Sequence, residues 1–177
     1  MERYLEFSTP IGRLCLIADQ GEIIRIASLN GSFRPDPAQL SEDDHTDCSS
    51  EDNRNNPECA LLVDAKEQIL EYLDGKRKFF TFPIHEDGTP FAIDVKEAAK
   101  TVPYGQTITY EQLAKNAGHP GAYRAAARVM STNKFPLVIP CHRILPKDKP
   151  VEQSRYSFCD GAATRKYLLD LEQKNSQ

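Results

Sequence analysis

Residues 3–29 read as apolar-rich strands separated by turn residues. YLEFST and RLCLIAD flank Thr9-Pro10-Ile11-Gly12, a turn punctuated by Pro and Gly. EIIRIASL follows Gln20-Gly21 and its side chains roughly alternate, so three short antiparallel strands are expected. The period then turns helical. Leu62, Ala65, Ile69, Leu70 and Leu73 form one stripe, predicting a helix from Leu61 to Leu73 with Gly75 as its stop. Thr89-Pro90 opens a second helix, Thr as N-cap and Pro in the first turn, with Phe91, Val95 and Ala98 inward. It should end before Pro103-Tyr104-Gly105. Thr109 caps a short helix, with Gln112 three residues on as a capping box requires, and Leu113, Ala114 and Ala117 on its buried side. Gly118-His119-Pro120-Gly121 breaks the pattern, and another helix is expected from Ala122 to Thr132. Two short helices about a glycine-containing turn suggest a helix-turn-helix. Leu137-Val138-Ile139 reads as a buried strand running into Pro140-Cys141-His142-Arg143. A last helix is expected from Asp160, as N-cap, to Glu172.

Composition narrows the class. With 177 residues, 40% hydrophobic and 27% charged, the chain can pack one domain or two small ones. No run approaches the roughly 20 apolar residues of a membrane helix. The start, MERYLEFSTP, lacks the apolar core of a secretory signal. Five cysteines without a CxxC pair make a disulfide framework or zinc knuckle unexpected and favour a reducing cytosol. Residues 30–59 include a stretch with seven acids and one arginine and read as a solvated loop. His45, Cys48 and Cys59 lie in or beside it but match no compact zinc pattern, so no metal site is expected.

The net charge of −4 conceals a polarity. Residues 91–177 carry 13 Lys+Arg against 8 Asp+Glu, a balance of +5, which leaves −9 on residues 1–90. The C-terminal half can meet an anionic partner. That half also holds the chemistry. A cysteine is a strong nucleophile as thiolate, which neighbouring cationic or basic groups favour. Beside Cys141 stand His142, able to take its proton directly or through a water, and Arg143. A carboxylate such as Glu172 can orient the imidazole. On a strand, adjacent side chains would point to opposite faces, which a bridging water would relieve. The competing reading is an inert buried thiol, since cysteine is among the most buried residue types.

Several pieces together resemble the O6-alkylguanine-DNA alkyltransferases, the methylated-DNA–protein-cysteine methyltransferases. They are Val102-Pro103-Tyr104-Gly105, Thr109-Tyr110-x-x-Leu113-Ala114, Arg124, Asn133-x-x-Pro136, Pro140-Cys141-His142-Arg143 and Leu168-Leu169-x-Leu171-Glu172. Thr9-Pro10-x-Gly12, Tyr72-x-x-Gly75 and Gly88-Thr89-Pro90-Phe91 extend the likeness over most of the chain. The resemblance implies an α+β fold: a ribonuclease-H-like α/β domain over residues 1–85, carrying the acidic loop 30–59, and a helical DNA-binding domain over 86–177. It implies that Cys141 takes an alkyl group from guanine O6 (O4-alkylthymine being a further candidate substrate), once per molecule and without cofactor or metal. His142, a water and Glu172 would form the proton relay, Asn133 the hinge and Tyr110 the proton donor to guanine N3. The target base would be extruded from the duplex. Arg124 would fill its place, and the recognition helix, with Ala125, Ala126, Ala127 and Ser131, would enter the minor groove of double-stranded DNA. Met130 and an aromatic, Phe158 or Tyr156, would line the base pocket. A monomer in the cytoplasm, or the nucleus of a eukaryote, is expected, with no membrane contact.

The chain departs from the family pattern at three places. Lys96 replaces a usual Trp, residues 145–160 replace a glycine-rich stretch, and the acidic segment 37–59 has no counterpart. Three rivals remain: a lesion-sensing protein that flips without repair, a cysteine hydrolase, and a helix-turn-helix regulator. Such sensors typically lack the acceptor cysteine. A hydrolase leaves the helix-turn-helix unexplained, and a regulator is poorly supported by one half-site and low net charge.

Overall fold

In the computed structural model, residues 2–29, 46–48, 53 and 55–177 are described, and they divide into two compact units, Met1–His85 and Glu86–Gln177. In the first, residues 3–28 form an antiparallel meander of β1 (Arg3–Thr9), β2 (Gly12–Asp19) and β3 (Glu22–Ser28). Gln20 and Gly21 both have positive φ (51° and 82°), the geometry of a two-residue turn that follows the twist of a hairpin. Helix α1 (Pro57–Leu73) packs on the meander with Leu62, Ala65, Ile69 and Leu73 fully or almost fully buried. It begins one turn before the expected Leu61. Asn56 accepts from the Glu58 and Cys59 amides and Pro57 occupies the first turn, a start signal stronger than the apolar stripe alone.

The acidic segment is not wholly a solvated loop. Residues Thr46–Asp47 form β4, which pairs in parallel with β1 at the edge of the sheet, order β3-β2-β1-β4. The Cys48 amide donates to the Tyr4 carbonyl (3.1 Å). This brings Cys48 beside Cys59 in the first turn of α1, Cα–Cα 5.3 Å, where they form a disulfide. The expectation of no disulfide is thus overturned, because chain return along β1, not local spacing, sets the pairing. It also withdraws the cysteine-based argument for a reducing compartment. His45 lies outside the described residues.

The second unit is mostly helical. Helix α2 (Pro90–Lys100) is capped by Thr89 and buries Val95, Ala98 and Ala99. A two-stranded parallel sheet joins β5 (Ile108–Thr109) to β6 (Ile144–Leu145). Helices α3 (Tyr110–Asn116) and α4 (Tyr123–Ser131) pack on each other and on α2, forming the helix-turn-helix. The reciprocal Thr109–Gln112 capping box is present. Helix α5 (Ala162–Asn175) starts after Gly161 (φ 65°), not at an Asp160 cap; the Asp160 amide donates to Thr164 Oγ1 (3.0 Å) instead. No helix among the described residues is long and apolar enough to cross a membrane.

Candidate active site

The Leu137-Val138-Ile139 triplet is not a strand. It lies in a tight turn bracketed by one side chain: Asn133 Nδ2 donates to the Ile139 carbonyl (2.9 Å), and Asn133 Oδ1 accepts from the Phe135 amide (2.9 Å). Leu137, buried, is held at φ 75°, a conformation that non-glycine residues occupy at a cost. Three apolar residues are too few to impose a period against these bonds. The chain leaves the turn through Pro140 into one turn of 3₁₀ helix, Cys141–Arg143. Side chains there step by a third of a turn rather than alternating across a strand.

That step separates two environments. Cys141 lines a cavity of about 250 Å³ with Tyr110, Met130, Ser131, Arg155, Tyr156, Ser157 and Arg165. Its Sγ lies 3.7 Å from the Tyr156 hydroxyl. Burial pushes the Cys141 thiol up; donors on Asn133 and Tyr156 and the charge of Arg165 oppose that. His142 and Arg143 turn to Glu172, itself fully buried on α5. His142 Nε2 is 2.8 Å from Glu172 Oε1. Arg143 donates to the same carboxylate through Nε (2.9 Å) and Nη2 (2.8 Å), and through Nη1 to the Val102 carbonyl (2.8 Å). The Gly105 amide adds a fourth donor group (3.1 Å); its φ of +80° and a notional Cβ 2.7 Å from Ser176 explain the glycine. Burial alone would raise the Glu172 carboxyl. The bonds and charges of His142 and Arg143 together hold it well below the usual carboxylate range. Burial pulls His142 down, with Glu172 opposing. At neutral pH the pair is therefore a neutral imidazole donating Nε2–H to a carboxylate, which leaves Nδ1 as the basic nitrogen.

The structure brings Cys141, Tyr110, Met130, Ser131 and Tyr156 to one cavity, with Asn133 bracing the turn and His142 and Glu172 bonded to each other. Phe158 is buried outside that lining, edge-on to Tyr156 at 6.5 Å between ring centroids. Of the two aromatics, Tyr156 therefore faces the cavity. Arg124 and Ala125 are exposed on α4, and Ala127 is partly so. Ala126 is not available to a groove: with Met130, four residues on, it forms the helix's buried face. Arg143, read as a neighbour of the thiol, is spent on Glu172. Sequence reasoning missed Arg165. Its signal is present, since Arg165, Leu168 and Glu172 recur at i, i+3 and i+7 on the buried face of α5.

A helix-turn-helix, and in the same unit a buried cysteine open to a cavity and followed in the chain by the histidine of an imidazole–carboxylate pair, fit the class of DNA-binding proteins. The family comparisons sharpen that class. Residues 3–85 match the ribonuclease-like domain, and residues 90–174 the DNA-binding domain, of 6-O-methylguanine DNA methyltransferase. The chain is 32% identical over 149 residues to the constitutive methylated-DNA–protein-cysteine methyltransferase of Bacillus subtilis, covering 84% of this chain and 83% of that one. The crystal structure of Mycobacterium tuberculosis O6-methylguanine methyltransferase superposes with a TM-score of 0.81 at 25% identity, over 100% of this chain and 96% of that one. That of Mycobacterium tuberculosis OGT in complex with DNA gives 0.76 at 26%, over 98% and 94%. The chain belongs to the 6-O-methylguanine DNA methyltransferase family and has the DNA-repair alkyltransferase activity that defines it.

Proposed function

We propose that Cys141 is the alkyl acceptor and that each molecule acts once, on O6-alkylguanine in double-stranded DNA. The observation that carries this reading is a buried thiol open to a cavity, with the His142–Glu172 pair beginning at the next residue of the chain. The thiol proton passes, directly or through a water, to His142 Nδ1, and Glu172 stabilises the imidazolium. Sulfur attacks the alkyl carbon in line. The S–C bond forms as the C–O6 bond breaks, and the electron pair moves onto the purine. Tyr110, on the cavity wall, gives its proton to guanine N3, so neutral guanine leaves. The thioether is too stable to reverse, which makes the protein its own consumed reagent.

The target carbon is hidden in stacked DNA, so the nucleotide is swung out into the cavity. Arg124, exposed in the first turn of α4, takes its place in the stack. Ala125, Ala127 and Ser131 face the minor groove, and Arg128 adds charge beside them. Asn133 sets the hinge between α4 and the Cys141 turn. Met130 and Tyr156 line the base pocket, and O4-alkylthymine is a further substrate. The residues present supply every proton and charge the transfer needs, so no metal or cofactor enters the scheme. The two compact units serve as a ribonuclease-like domain (1–85) and a DNA-binding alkyltransferase domain (86–177). The protein works as a monomer in the cytoplasm, or in the nucleus if the host is eukaryotic.

The Cys141→Ser variant tests the assignment. It should bind a duplex containing O6-methylguanine and leave the lesion intact. Arg124→Ala should slow transfer from duplex DNA far more than transfer from free O6-benzylguanine. Equal losses on both substrates would remove Arg124 from the flipping role.

A further inference from the structure

Two arginines are buried among the described residues, and they differ in how their charge is met. Arg143 is paired with Glu172. Among the described residues Arg165 has no carboxylate partner, although its side chain is among the largest fully buried ones at 2% exposure. Its Nη2 reaches toward the Tyr110 hydroxyl (3.4 Å), and its guanidinium lies 4.6 Å from the Tyr156 ring centroid. Its Nε and Nη1 are buried and make no hydrogen bond among the described residues. Arginine does not relieve such burial by losing its proton. A buried cation with unmet donors is costly. This one borders the cavity that Cys141 and Tyr110 also line.

We propose that Arg165 is a positioning residue for the transfer reaction: it orients the Tyr110 hydroxyl toward the extruded purine and stabilises the phenolate that remains once the proton is given. This rests on the reading of Cys141 as acceptor and Tyr110 as proton donor. Because Nη2–H points at the phenol oxygen, the phenolic proton is directed away from Arg165 and into the cavity. The ledger balances. Sulfur's negative charge becomes the S–C bond, the purine gains the C–O6 electron pair and the Tyr110 proton, and the net negative charge ends on the phenol oxygen facing Arg165. The thiol proton stays on His142 until solvent takes it, and Tyr110 regains one from solvent. Tyr156, stacked on the guanidinium, fixes its plane.

The test is a double-mutant cycle on single-turnover transfer from an O6-methylguanine duplex, using Arg165→Met, Arg165→Lys, Tyr110→Phe and the double variant Tyr110→Phe/Arg165→Met. Arg165→Met should slow transfer roughly 10- to 100-fold, the worth of a hydrogen bond to a charged group. Arg165→Lys should recover most of that loss, and the binding of duplex should be unchanged. In the Tyr110→Phe background, Arg165→Met should cost almost nothing further. Equal losses in both backgrounds would overturn the proposal, as would an undiminished rate in Arg165→Met. If Arg165→Met fails to fold, the uncharged Arg165→Gln in both backgrounds decides by the same criterion. Wild-type protein unable to transfer would overturn the underlying reading as well, which separates the two failures.

Discussion

The two units bury different kinds of matter. Around the sheet of the first, the buried polar residues are Ser28 and Gln68; none of the described ones is a buried acid, histidine or arginine. Gln68 is fully employed, bonding Asp64, the Thr81 hydroxyl and the Thr81 amide. The second unit buries His142, Arg143, Arg165 and Glu172 within a chain of similar length. Apolar burial of the first kind stabilises in proportion to area. Burial of charge does not: an ion pair inside a protein often contributes less than a hydrophobic replacement would. The first unit buries mainly apolar matter, and the second gives up some of that stabilisation to hold buried charged groups in the unit that carries Cys141.

The sharpest way to break this comparison is Glu172→Gln. It leaves Arg143 buried without a counter-charge, and should cost about 3–5 kcal/mol, read as a fall in urea midpoint. A loss no larger than that of a surface substitution would mean that the network is solvated. Acid should expose the same contrast. His142 is held below its ordinary value, so only the unfolded chain takes up that proton as pH falls below about 6.5, and the second unit loses stability there. The contribution of Glu172, full above about 4.3, is lost on further acidification toward its depressed value. The first unit has no described buried group of either kind, and its amide-exchange protection should hold across the upper step.

A smaller effect tests the first unit. Replacing both Cys48 and Cys59 by Ser opens a link between residues 11 apart in sequence, and should cost about 2–3 kcal/mol on loop-entropy grounds. Alkyl transfer should persist, because no part of the proposed chemistry lies in residues 1–85. Loss of transfer with the second unit still folded would break the division of labour.

How far the sequence could be read follows the range of the forces involved. The meander, the Thr89 and Thr109 caps and the helix-turn-helix rest on local periodicity and capping, and these were legible. The edge strand β4 and its disulfide were not, because they depend on an aperiodic acidic segment returning to β1. The turn before Cys141 looked like a strand because Asn133 overrides the preference of three apolar residues. At the site, Cys141 and His142 stood out by residue type and adjacency, and Glu172 through the family resemblance. Arg165 did not, since a charge on a helix is read as solvated unless its register with Leu168 and Glu172 is followed. Ala126 shows the converse error, a small residue assigned to the groove face that packs inward.

The central claim concerns where the alkyl carbon ends. Wild-type protein should be incubated with a duplex containing one O6-methylguanine, digested, and its peptides weighed. The account predicts that the peptide containing Cys141 gains the mass of one methylene, that Cys15 and Cys159 gain nothing, and that the lesion becomes guanine. A repaired duplex with Cys141 unmodified, or an adduct on another residue, would contradict it.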